Sequence, residues 1–121
     1  MAQRPRSITI ISWFFIIFGS IALLQGVLPF GDITVAQRIA ELKGHWMVHL
    51  SRIVQIVAGV FMLYGRNWAR WLVVAWIAFH IVISALHSTL QLVLHVVIFT
   101  VILYFLFRRP ASAYFLAAKT R

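Results

Sequence analysis

From Ser7 to Leu28 the chain carries no charged side chain. At about 1.5 Å per residue a helix of that length crosses a hydrocarbon layer ~30 Å thick. Comparable apolar stretches recur over 46–64, 69–87 and 90–107, the second broken by Arg52 and the third carrying Arg70 near its start. Their Val, Ile and aromatic content would favour strands in water. In lipid each spanning segment must satisfy its own backbone hydrogen bonds, and four strands cannot close a barrel. The pattern therefore predicts an all-α integral membrane four-helix antiparallel bundle. Composition points the same way: 63% of residues are hydrophobic and 11% charged, against ~45–50% and ~25% in soluble domains. A chain this small has too much surface to hide that excess in a soluble core. Residues 1–121 read as one transmembrane domain, with spans at about 7–28, 46–64, 69–87 and 90–107. The outer connection 29–45 holds a short interfacial helix over Thr34–Leu42.

Orientation follows from where the cations lie. Arg4 and Arg6 precede the first span, Arg66 lies between the second and third with Arg70 at the very start of the third, and Arg108, Arg109, Lys119 and Arg121 follow the fourth. On the opposite side stand Arg38 and Lys43, accompanied by Asp32 and Glu41, the only acids in the protein. The positive-inside rule then predicts cytoplasmic N and C termini. Because the cations cluster at the ends of apolar runs, the net charge of +9 is read as membrane topology and contact with anionic lipids rather than nucleic-acid binding. The first apolar run is longer than a signal-peptide core, and Ala22-Leu23-Leu24 makes a poor cleavage site, so it reads as an uncleaved span. Trp46, Tyr64, Trp68, Trp71 and Tyr104 fit the interfaces, whereas Trp13 and Trp76 lie deeper and call for internal packing. After Pro110, residues 113–116 read as a short interfacial turn or a frayed tail.

Polar residues inside the spans carry any functional signal, because each is costly in hydrocarbon without a partner. His45, His49, Arg52 and Gly59 share one face of the second span by three-four spacing; Trp76, His80, Ser84 and His87 share a face of the third; Gln91 and His95 lie one turn apart on the fourth. Topology places His45, His49, His87 and His95 at one depth, in the outer half. The sharp reading is a cofactor or metal site of those four histidines, haem, copper or zinc, with Arg52 beside a haem propionate. The plainer reading makes each histidine an interfacial residue or an interhelical hydrogen bond. Arg52 either snorkels to a lipid phosphate, pairs with Glu41 or Asp32, or binds an anionic ligand in an outer vestibule.

The absence of cysteine excludes disulfides, thiolate catalysis and cysteine-ligated metals. No span holds the carboxylate that a proton-coupled transporter normally needs, and the first span lacks the glutamate on which small multidrug exporters depend. A hydrolase would have to draw on Ser84 or Ser88 with His80 or His87, without a nearby acid to orient the base. No polar stripe runs the full depth as a channel requires. The segment Gly65-Arg66-Asn67-Trp68-Ala69-Arg70 resembles the loop of small bacterial four-helix inner-membrane proteins with a Gly-Arg-x-Trp-Ala-Arg cytoplasmic sequence. That resemblance implies the bacterial inner (plasma) membrane and no particular activity. In physical terms Gly65 and Asn67 turn the chain, Arg66 and Arg70 hold the loop against anionic lipid, and Trp68 and Trp71 anchor the next helix. The functional expectation is a non-enzymatic accessory or interaction subunit of a larger membrane complex or homo-oligomer, using Trp13, Trp76, Phe79 and Phe105 as apolar anchors. The alternatives are a haem- or metal-binding module and a small-molecule transporter.

Overall fold

The computed structural model describes residues 3–28 and 34–117. They form six helices: α1 Arg6–Val27, α2 Val35–Gly44, α3 Trp46–Leu63, α4 Asn67–His87, α5 Thr89–Phe107 and α6 Arg109–Ala117. Four of them, α1, α3, α4 and α5, are long and apolar enough to cross a membrane. The four expected spans are present, and two short helices, α2 in the outer connection and α6 after the last span, bring the described total to six. The outer connection is helical from Val35, opened by a capping box in which Thr34 and Gln37 satisfy each other's backbone N–H groups. Residues 109–117 form neither a turn nor a frayed tail but α6. Ile33, Asp32, Lys119 and Arg121 lie outside the described residues.

Neighbouring spans run antiparallel. Gly59 of α3 faces Ser12 of α1 while Gly26 of α1 faces His49 and Arg52. Trp76 of α4 reaches Ser51 of α3, and Ser84 of α4 reaches His95 of α5. The spatial order is α1, α3, α4, α5, and α5 touches α1 much less than the other neighbours touch each other. The α3–α4 turn fixes one corner. Tyr64 ends α3, and Gly65 takes a left-handed conformation (φ 71°). The Gly65 N–H then reaches the Met62 carbonyl and the Arg66 N–H the Phe61 carbonyl, both at 3.0 Å. This pair of bonds caps the helix and is what the glycine permits. Replacing Gly65 with alanine is expected to cost about 1–2 kcal/mol, read as a lower unfolding midpoint in detergent; an unchanged midpoint would show that the turn adapts.

The core is lopsided. Its buried residues are Ile8, Ser12, Phe15 and Gly19 of α1; Gln55, Ala58, Gly59 and Met62 of α3; Ala69, Arg70, Val73, Ile77 and Ser84 of α4; and Ile102 and Leu106 of α5. No residue of α1 after Gly19, of α3 before Gln55, or of α5 before Ile102 is buried. Close packing is therefore concentrated at the end that carries the α3–α4 turn and α6, here the termini end, and nearly absent at the α2 end. Phe15 stacks edge-on against Trp76 near the boundary between the two, with ring centroids 5.4 Å apart.

Helix α6 folds back and plugs the termini end. Ala111 and Phe115 are fully buried, and the Tyr114 hydroxyl donates to the Leu63 carbonyl at 2.6 Å. The Arg108 guanidinium donates to the Ser7 hydroxyl at 2.9 Å, joining α5 to α1. Arg70 corrects a sequence expectation. It does not lie against lipid headgroups but points inward, 9% exposed, where it donates to Ser112 at 3.3 Å and sits 4.7 Å above the Phe107 ring and 5.5 Å from that of Phe115. Trp68 stacks on Phe61 and Trp71 meets Phe107 edge-on. Each side chain of the Gly65–Trp71 segment that makes these contacts fastens one helix to another.

Candidate functional site

The polar residues at the α2 end separate into two groups. The first is a pocket of about 230 Å³ between α1, α2 and the start of α3, bounded by Gly26, Arg38, Glu41, His45, His49 and Arg52. Three-four spacing puts His45, His49 and Arg52 on the same side of α3, as expected. Glu41 is held by Arg38 at 3.0 Å, so it does not pair with Arg52. The other Arg38 nitrogen donates to the Leu28 carbonyl at 3.0 Å and ties α2 to the end of α1. The His45 imidazole donates from Nδ1 to the Glu41 carbonyl at 3.1 Å, a tautomer required by a carbonyl partner. Arg52 has no hydrogen-bond or ion-pair partner among the described residues. The Nδ1 of His49 and the Nε of Arg38 are covered and also unpartnered there.

The second group lies between α4 and α5. His80 donates from Nδ1 to the Trp76 carbonyl at 2.9 Å and stacks on the Trp76 ring at 3.9 Å. His95 donates from Nδ1 to the Gln91 carbonyl at 2.7 Å and shares that proton with Ser84 at 3.1 Å. The two imidazole rings lie nearly parallel, 6.2 Å apart. Trp76 is itself pinned by its indole N–H, which reaches the carbonyl and hydroxyl of Ser51 at 2.9 and 3.0 Å. It is thus an interhelical rivet rather than an outward anchor, whereas Trp13 is half exposed on the lipid-facing side and needs no internal partner.

The four histidines singled out by depth do not converge. His45 and His49 line the α1–α2–α3 pocket, His95 joins His80 and Ser84, and His87 is exposed, its Nδ1 donating to the Ile83 carbonyl of its own helix at 2.8 Å. Among the described residues no three His, Cys, Asp or Glu side chains come together as metal ligands. The sequence sets His80 nearer mid-membrane than the other histidines and so outside the four-histidine cluster, whereas the structure brings it against His95 of α5. The signal that finds it is the His80/Ser84 pair one turn apart, facing the helix joined by the shortest connection.

Behind α3, on the side away from the pocket, an apolar groove of about 350 Å³ runs between α3 and α4. Trp46, Met47, Leu50 and Val54 form one wall and Leu72, Ala75 and Phe79 the other, with Ser51 and Trp76 at its floor. One helix therefore presents a polar face to α1 and α2 and an apolar cleft to the lipid. No family model, curated protein or solved structure matches the chain. Fold and composition define its class: a small α-helical integral membrane protein with four spans.

Proposed function

We propose that this chain is a non-enzymatic accessory or interaction subunit of a larger assembly in the bacterial inner membrane, with both termini in the cytoplasm. The lopsided core carries this reading. Helix packing in lipid depends on close van der Waals fit rather than on a hydrophobic force. A span pair without internal fit at one end gains by receiving another helix there. The α3–α4 groove has the shape for it, walled by Trp46, Leu50 and Phe79, each about half exposed. Helix α5, the most apolar and least buried of the four spans, offers a second face. The charge bias supports the orientation: eight of the eleven basic residues flank the spans at the termini end or in the adjoining tail.

The test is a photo-crosslinking residue placed at Leu50 or Phe79 in native membranes. The expected result is a discrete, reproducible protein adduct from both groove positions and none from Trp13. An adduct at twice the chain's own mass identifies the partner as a second copy. Lipid adducts alone, at both positions, overturn the reading.

A second reading, a transition metal held by histidine, draws its support from the His80–His95 pair. Both rings spend Nδ1–H on a carbonyl, which fixes the tautomer with a free Nε2 lone pair, the arrangement that outer-shell carbonyls impose on metal-binding imidazoles. It predicts near-stoichiometric copper or zinc in protein from metal-replete cells, lost in His80→Ala and in His95→Ala. Metal-free protein from such cells removes it.

A further inference from the structure

We propose that the α1–α2–α3 pocket binds a phosphate-bearing anion, with the Arg52 guanidinium as its principal ligand. The first support is charge. The pocket wall holds two guanidinium groups and one carboxylate, and that carboxylate is engaged by Arg38. Arg52 is left with an uncompensated positive charge and its full set of N–H donors about 9 Å along the axis from Trp46, at the rise of an α-helix. A charge in that position is costly unless it meets a counter-ion or water. A tetrahedral oxyanion matches the planar fork of a guanidinium in shape as well as sign.

The second support is space. A Cβ placed on Gly26 would come within 2.6 Å of His49 Cε1 and 3.1 Å of His49 Nδ1, and would collide with the Arg52 guanidinium. The missing side chain lets Arg52 and His49 lie against the α1 backbone. His49 brings a covered Nδ1 that no described residue satisfies. At about 230 Å³ the pocket is smaller than the ~300–1,000 Å³ of sites for drug-sized ligands, so it suits a headgroup-sized anion and not a haem.

The third support is position. The pocket opens at the α2 end, beside the end of α1 and the first turns of α3, where the membrane boundary falls on either orientation. An anionic phospholipid headgroup and a free phosphate both carry the required chemistry there. Glu41 lines the same space, so the anion seats toward Arg52 and His49 rather than centrally.

The experiment uses the full chain in nanodiscs. One arm compares phosphatidylcholine alone with phosphatidylcholine doped with phosphatidylglycerol and reads retained lipid by native mass spectrometry. The other titrates inorganic phosphate into phosphatidylcholine nanodiscs and follows phosphorus resonance broadening. Retention of phosphatidylglycerol in the first arm marks a lipid ligand, and saturable broadening in the second marks a soluble one. In either case Arg52→Gln is expected to weaken binding roughly tenfold or more, the scale of losing a charge-assisted fork. Gly26→Ala should weaken it as well, while Arg109→Gln, exposed at the other end, leaves it unchanged. If wild-type protein shows no preference in either arm, or binds as well without Arg52 as with it, the proposal is overturned. The wild-type comparison decides this even where a variant fails to fold.

Discussion

Replacing Gly59 with leucine is expected to separate α1 from α3 and to destabilise the protein by about 3 kcal/mol or more, the upper range for overpacking a filled site. The first added atom meets a wall on three sides. A Cβ on Gly59 would sit 2.8 Å from the Ser12 backbone carbonyl oxygen, 2.9 Å from Ile16 Cγ1 and 3.2 Å from Phe15 Cβ. Backbone cannot swing aside as a side chain can, so the two helices must move apart. Their separation would open the part of the core that holds Phe15, Ala58 and Met62, all essentially inaccessible. Close approach through small residues is what allows helices to associate in lipid. Alanine should show a smaller loss in the same direction. Unfolding in graded denaturing detergent, followed by circular dichroism, measures both. A Gly59→Leu protein as stable as wild type would mean that α1 and α3 do not cross at this point.

The second large effect belongs to Arg70. Arg70→Ala is expected to release α6 at a cost of about 2 kcal/mol, from one charge-assisted hydrogen bond and two ring contacts. The Ser112 hydroxyl loses its guanidinium donor, and Phe107 and Phe115 lose the planar cation between them. Hydrogen exchange over Arg109–Ala117 should accelerate about thirtyfold, the equivalent of that energy when the docked helix opens locally. Exchange in α1 and α3 should change little. Arg70→Lys keeps the charge but not the flat surface that stacks on rings, and should recover only part of the protection. If α6 exchanges at the wild-type rate in Arg70→Ala, the docking rests on Tyr114 and Phe115 alone.

These two residues also show how far the chain could be read without its structure. Gly59 stood on a recognisable polar face with His49 and Arg52, and the face does meet a neighbour. Which neighbour, and how closely, depended on the rotation of α1 about its own axis. That helix is apolar over most of its surface, and only the small residues Ser12 and Gly19, both buried, mark its packed side. By sequence Arg70 reads as a surface cation, because positive charge at a span end is the usual topological signal. The short helix that covers it begins nearly forty residues later, and nothing local marks the two as partners. The capping box of α2 was foreseeable from Thr34 and Gln37, and the interfacial helix there was placed within a few residues.

The histidines divide along the same line. Number along a helix fixes height along its axis and nothing more. Contact between helices needs a second coordinate, the direction each side chain takes around its axis, and a third, the order in which the spans surround one another. The order α1, α3, α4, α5 turns the polar face of α3 toward α1 and α2, while α5 turns His95 toward α4. The sequence by itself determined the four spans and the antiparallel succession of α3, α4 and α5, because apolar length and short turns leave no other arrangement in lipid. Only the tertiary structure decided that Arg52 and His49 stand against Gly26, and His80 against His95, because helix rotation and neighbour order are set by the sum of many small packing contacts that no single segment encodes.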